Sequence, residues 1–290
     1  MMDRLLLRAY AKINIGLNII SKREDGFHNI ETIFQQIDLF DQIIVKRTRN
    51  FEILIRSDNN KVPISQDNIC YKAVKLIQQA TGISEGLEIN IWKRIPIGAG
   101  LGGGSSDAAA ILKGLTRLWL LQISEAELQK LALKLGADVP FFLRGGTALA
   151  CGVGEKIISF DLPFNFYCTL IYPNIEISST WAYKNFNFSL TKTKKSIKLS
   201  NIFFHRLHIW SLKSLISNDL EEVVFQRYPE LNDIKQLLYL KGAFFACMSG
   251  SGSTIYGLFK NYADAVAVKR SILKPYQIIL AKPMITKNHL

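Results

Sequence analysis

The amino-acid sequence predicts an α+β fold, and three observations lead to it. Alternating apolar runs read as strands toward both ends of the chain, and helical periodicity is gathered in separate blocks. The central strand opens through glycines into a helix that is followed by another helix, not by a strand. Two helices in succession do not make a βαβ crossover, so a Rossmann-type sheet is set aside. With 290 residues, 48% hydrophobic and 21% charged, the chain can bury one large or two ordinary cores, and its composition excludes a disordered polymer.

Taken in order, Leu5 to Ile20, Asp41 to Thr48 and Phe51 to Arg56 read as strands. A helix is expected from Asn68 to Thr81, with Asp67 available as its cap. In Leu87-Glu-Ile-Asn-Ile-Trp92, residues Leu87, Ile89 and Ile91 alternate with polar or larger neighbours as in a half-buried strand. After the glycines a helix runs from about Ser105 to Leu121. Ser124 and Glu127 form a capping box, and Leu128, Leu131, Ala132 and Leu135 carry the next helix to Gly136. Gly146 to Phe160 reads as extended, and Tyr167 to Tyr172 as a strand opening a second lobe. Helices from Leu212 to Arg227 and Pro229 to Leu240 precede strands at Ala243 to Met248 and Thr254 to Phe259. A helix from Tyr262 to Ser271 and a strand from Gln277 to Ala281 close the series, with no internal repeat or low-complexity tract.

Composition and charge narrow the functional classes. The net charge of +12 raises nucleic-acid binding, but most Lys and Arg are scattered. Lys192, Lys194, Lys195 and Lys198 cluster in a short polar stretch that reads as a solvated loop; a general positive field would still gather anionic nucleotides. The first apolar run is broken by Arg8, so no cleavable leader is visible, and the uncharged stretch from Gly242 to Phe259 holds too many Gly and Ser for a bilayer helix. A cytoplasmic protein without a membrane partner is expected. Cys70, Cys151, Cys168 and Cys247 show neither a Cys-x-x-Cys pair nor metal spacing and read as reduced, mostly buried thiols. His205 and His208, three apart on a possible helix, lack the acidic or cysteine neighbours a metal site needs.

The chemistry concentrates in Pro96-Ile97-Gly98-Ala99-Gly100-Leu101-Gly102-Gly103-Gly104-Ser105-Ser106, between a strand and a helix. Glycines let successive backbone N–H groups turn toward an anion, and the helix start adds its unpaired amides and positive dipole end. Ser105 and Ser106 can donate to phosphate or ligate a metal; Ser106 or Asp107 could instead simply cap the helix. A Walker loop is excluded, because Gly-Lys-Ser and Gly-Lys-Thr occur nowhere in the chain. Gly98, Gly100 and Gly103 satisfy the dinucleotide pattern, but the strand and acid required about twenty residues on are replaced by a helix start at Ser124. Two charged residues stand out elsewhere. Lys12 lies in an apolar strand, where a cation is costly unless partnered. Asp138 in Gly136-Ala-Asp-Val-Pro140 lies between the end of one helix and the start of another, where it reads equally as an N-cap or as an ionised functional acid.

Ala11-Lys-Ile-Asn-Ile-Gly-Leu17, the central loop and Met248-Ser-Gly-Ser-Gly-Ser-Thr254 resemble, in order and spacing, the three signature motifs of the GHMP kinases. Lys22-Arg-Glu-Asp-Gly-Phe-His28, Leu101-Gly-Gly-Gly-Ser-Ser106 and Leu135-Gly-Ala-Asp-Val-Pro-Phe141 resemble the 4-diphosphocytidyl-2-C-methyl-D-erythritol kinase family, and the resemblance covers essentially the whole chain. It implies the GHMP kinase fold, with a ribosomal protein S5 domain 2-like N-terminal domain over residues 1–162 and a ferredoxin-like C-terminal domain over 163–290. It implies ATP as phosphate donor, wrapped by Pro96 to Ser106 with Asn68 and Lys93 near the adenine, and Mg²⁺ to neutralise the polyphosphate. Asp138 becomes the base, and Lys12 orients the attacking hydroxyl and neutralises developing charge. The acceptor is a small cytidyl diphosphate. Its cytosine is placed at His28, Phe34 and Tyr183, and its reacting carbon near Asn14, with a hydroxyl from Ser179 or Thr180. Phe27 stands where the family usually has tyrosine, which keeps the ring and removes a hydroxyl. Gly250 and Gly252 bring backbone to the substrate or make a plain turn. A homoserine or mevalonate-type kinase of the same fold is the alternative, although a cytidine pocket would be wasted on such acceptors. A catalytically silent nucleic-acid or regulatory binder is the other, and the Lys12 and Asp138 pair argues against it.

Overall fold

The computed structural model describes residues 3–162, 165–188, 199, 212–272 and 275–285. The lysine cluster at 192–198 and both His205 and His208 lie outside them. The chain forms two compact units, one of Met1–Ala11, Leu39–Ile97 and Gly102–Arg144, the other of Lys12–Asp38, Gly98–Leu101 and Gly145–Leu290. Two long strands, β1 (Arg4–Lys22) and β2 (His28–Thr48), contribute residues to both.

In the first unit, β4 (Gly86–Trp92) pairs antiparallel with β2, Gln42 opposite Trp92 through Thr48 opposite Gly86. On its other side β4 pairs parallel with β3 (Ile53–Ser57). The expected alternation of β4 holds: Leu87, Ile89 and Ile91 are buried. Four helices accompany this sheet: α1 (Ile69–Thr81), α2 (Gly103–Leu118), α3 (Glu125–Leu135) and α4 (Val139–Arg144). Helix α1 packs on α2, and α2 on α4, burying Val74, Ile77, Ile111, Leu115 and Phe141. Ser124 and Glu127 make both halves of the capping box that opens α3. The cap of α1 is Asn68, whose Oδ1 accepts from Cys70 N at 2.8 Å. The expectation of Asp67 is corrected by one position, because Asn68 holds the extended backbone from which its side chain reaches the second helical amide.

In the second unit, β2 pairs with β5 (Thr147–Gly152), Ile30 opposite Gly152 through Gln35 opposite Thr147, and β5 turns back into β6 (Lys156–Ser159). A separate antiparallel sheet runs β10-β7-β9-β8, with β7 (Tyr167–Tyr172), β8 (Phe245–Met248), β9 (Ile255–Phe259) and β10 (Gln277–Ala281). Helices α5 (Ser179–Lys184), α6 (Leu212–Leu215), α7 (Leu220–Arg227), α8 (Pro229–Leu240) and α9 (Tyr262–Arg270) belong here. Leu220, Val224, Leu231, Ile234 and Leu238 form one core with Leu17, Ile19, Ile171, Ile255 and Phe259.

The single helix expected from Leu212 to Arg227 is two. Between α6 and α7, Asn218 is buried and its amide donates to the Met248 and Gly250 carbonyls at 2.9 and 2.7 Å, while Leu17 N donates to Ser217 O at 2.9 Å. These contacts draw the backbone out of the helix and anchor the loop between β8 and β9. That loop lies within the uncharged Gly242–Phe259 stretch, which is strand, turn and strand as expected. Among the described residues no helix is long and apolar enough to cross a membrane.

Candidate active site

Three motifs far apart in sequence meet within the second unit. Lys12 and Asn14 lie two apart on β1 and so share a face; Lys12 Nζ donates to Asn14 Oδ1 at 2.5 Å and lies 4.8 Å from the centre of the Phe34 ring. Asn14 Nδ2 donates to Thr32 Oγ1 at 2.9 Å, and Thr32 in turn donates to Gly16 O at 2.6 Å, which fixes the amide so that its oxygen faces the ammonium. From the central loop, Leu101 O accepts from Lys12 N at 3.0 Å. From the third motif, Ser249 Oγ accepts from Asn14 N at 3.3 Å and donates to Gly100 O at 2.9 Å. Tyr256 closes the knot by donating to Asn14 O at 2.7 Å. A Cβ on Gly100, at φ 76°, would lie 2.0 Å from Ser249 O, so this approach is open to glycine alone. Lys12 is buried with this company, as a cation in an apolar strand requires.

An aromatic group lies in the same unit. His28 stacks on Tyr183 with ring centres 5.4 Å apart, and Phe188 and Phe186 flank it at 6.1 and 6.5 Å. Burial first, then the charge of Lys22, holds His28 below the usual histidine range, so its ring is neutral and offers one donor and one acceptor. Phe27 is 63% exposed, whereas Phe34 is 1% exposed. Ser179 shares a hydrogen bond with Ser251 of the third motif at 2.8 Å; Thr180 is exposed, and Ser178 caps α5.

The first unit holds the rest. Helix α2 opens at Gly102, with φ 70°, and no side chain caps it, so neither Ser106 nor Asp107 takes the capping role. Ser106 is buried and donates to Tyr10 O at 2.6 Å, which leaves Ser105 as the less enclosed hydroxyl. Beneath this turn Lys93 is held between two carboxylates, Asp107 at 2.7 Å and Asp41. Burial pushes Lys93 down, but the two carboxylates outweigh it and leave the ammonium above the usual lysine range. Burial holds Asp107 up at about 7 against the pull of Lys93, and its Oδ1 has no hydrogen-bond partner. Asn68 uses both ends of its amide locally, donating to Pro63 O at 2.6 Å as well as capping α1. Asp138 stands half-buried directly before α4.

Family models of the GHMP kinases N terminal domain and the GHMP kinases C terminal match residues 68–146 and 207–278. A 4-diphosphocytidyl-2-C-methyl-D-erythritol kinase of Chlorobaculum tepidum is 40% identical over 279 residues, 96% of each chain. The chain belongs to the 4-diphosphocytidyl-2-C-methyl-D-erythritol kinase family of the GHMP kinases. A second member of that family, from Clostridioides difficile, is 39% identical over 277 residues, 95% of this chain and 94% of its own. A crystal structure of 4-(cytidine 5'-diphospho)-2C-methyl-D-erythritol kinase matches with TM-score 0.81 at 30% identity, over 96% of this chain and 99% of that one. Homoserine kinase from Cytophaga hutchinsonii shares the fold, with TM-score 0.68 at 19% identity over 98% of this chain and 96% of its own.

Several residues of this kinase site carry no motif of their own. Thr32, Tyr256 and Asn218 act through hydrogen bonds to residues distant in sequence, and no local pattern marks them. Asp41 and Asp107 carry a weaker local signal than Lys12, since each has apolar residues on one side and a polar neighbour, Gln42 or Ser106, on the other. Phe186 and Phe188 were open to the aromatic spacing that begins at Tyr183.

Proposed function

We propose that this protein uses ATP to phosphorylate the 2-hydroxyl of 4-diphosphocytidyl-2-C-methyl-D-erythritol, a step of the non-mevalonate route to isoprenoid precursors. The observation that carries the reading is the knot in the second unit, where Lys12, Asn14, Gly100 and Ser249 are joined by hydrogen bonds across the three motifs. In this reading Pro96 to Ser106 cradles the triphosphate with the uncapped amides of α2. Lys93 and Asn68 support the adenine side. Mg²⁺ bound with ATP would neutralise its phosphates, and Ser105 is the hydroxyl on this chain that would reach that complex.

The acceptor's cytosine takes the aromatic surface of Phe27, His28 and Tyr183; Phe34, expected beside them, is 1% exposed and carries the Lys12 ammonium on its ring, so we reassign it from the cytosine to the support of Lys12. Ser179, tied to Ser251, supplies the hydroxyl at the acceptor. Asn14 holds the Lys12 ammonium toward the reacting oxygen, and Asp138 takes the hydroxyl proton as that oxygen bonds to the γ-phosphorus and the bond to ADP breaks. We assign the glycine-loop domain to residues 1–162 and the C-terminal domain to 163–290, and place the enzyme in the cytoplasm, a reducing setting in keeping with four free cysteines. ATP consumption measured with the cytidyl acceptor, homoserine and mevalonate tests the reading. Turnover with the cytidyl compound alone is expected; preference for either other acceptor overturns it.

A further inference from the structure

Asp41 has no exposed surface, and its two oxygens serve different partners. Oδ1 accepts from the backbone N–H of Arg94 at 2.5 Å and of Ile95 at 2.9 Å, and Oδ2 binds the Lys93 ammonium. The three donors are consecutive residues, and they end at the proline where the glycine loop begins. Lys93 also reaches Asp107 Oδ2 on α2 at 2.7 Å, and its Nζ lies 3.3 Å from where a Cβ on Gly103 would stand. One carboxylate therefore grips the segment entering the loop and, through Lys93, the helix leaving it. Burying a carboxylate is costly, and a neutral side chain could fill the same space without that cost. What the charge supplies is direction: three donors converge on one group, and a neutral side chain would not hold all three so strongly.

We propose that Asp41 is a positioning residue for ATP, setting the spacing between the entry of the glycine loop and the first turn of α2. This rests on the reading that Pro96 to Ser106 holds the triphosphate.

The test uses the full chain. Asp41→Asn keeps the size and one acceptor but loses the charge, so the clasp on Lys93 loosens while the strand survives. Calorimetric titration with a non-hydrolysable ATP analogue, and steady-state kinetics with each substrate varied, should show ATP affinity and ATP KM worsened by about tenfold, the scale of one charge-assisted hydrogen bond. The acceptor KM should stay within about twofold, a split that general loosening of the fold would not produce. A folded Asp41→Asn that binds the analogue normally, or that raises both KM values together, overturns the proposal. Should Asp41→Asn fail to fold by circular dichroism, Asp107→Asn loosens the same clasp from the α2 side. A loss confined to ATP then supports the proposal, and unchanged ATP affinity overturns it. A wild-type protein that does not bind the analogue removes the phosphate loop itself and this inference with it, an outcome distinct from failure in the variants alone.

Discussion

Gly100→Ala puts the contact between the central loop and the third motif to a quantitative test. At φ 76° an alanine costs about 1 kcal/mol in backbone strain. Its Cβ would stand 2.0 Å from Ser249 O and 3.1 Å from Gly252 O. Both obstacles are backbone carbonyls, so neither can swing aside, and one loop must retreat by roughly 1.5 Å to restore an ordinary contact. That movement breaks the Ser249 Oγ to Gly100 O bond at 2.9 Å and the Thr254 N to Ala99 O bond at 3.3 Å. With each bond worth about 0.5–1.5 kcal/mol, the expected loss is about 2–4 kcal/mol in all, or roughly 3–7 °C in melting temperature for a chain of this size. Differential scanning calorimetry reads the loss, and titration with an ATP analogue should show weaker binding in parallel. If Gly100→Ala melts with the wild type and binds the analogue equally, the two loops do not meet in solution as described, and the knot fails as support for the kinase reading.

Three further outcomes are expected. Asp138→Asn and Lys12→Ala should each lower kcat by about 10²–10⁴ while leaving ATP-analogue affinity near normal, and a folded Asp138→Asn with ordinary turnover would remove it as the base. Tyr183→Ala should raise the KM for the cytidyl acceptor roughly ten- to a hundredfold with little change for ATP, and a normal value would move the cytosine elsewhere. Because burial holds Asp107 up at about 7, the folded protein keeps a proton across the window from pH about 4 to 7 that the unfolded chain releases, so stability falls as pH rises through that window and levels off above it. Urea midpoints measured across the window should fall less in Asp107→Asn than in the wild type; parallel falls would refute the assignment.

Legibility in the sequence followed the physical character of each element. Strand β4 was readable because one face is buried and the other is not, and α8 because Pro229 opens it and its apolar stripe is regular. The first half of β2 escaped because residues 30–35 are buried on both faces, which erases the period of two. The split between α6 and α7 was invisible for another reason: it is imposed by carbonyls thirty residues away along the chain, through Asn218. The site divided along the same line. Residues crowded into short glycine-rich motifs marked the loop that we read as a phosphate cradle, and Lys12 betrayed itself as a charge in an apolar strand. Partners that act alone, such as Thr32 and Tyr256, became visible only when the strands were brought together.

The uncapped opening of α2 sets a trap for protein engineering. At φ 70° Gly102 tolerates asparagine better than most residues, and a side chain there would crowd the first turn of α2 while lowering the freedom of the unfolded chain. Such a change would make the chain harder to unfold while obstructing the place where our reading puts a phosphate. A library screened for heat resistance alone would enrich it, and the winners would be sturdy proteins with their donor site closed.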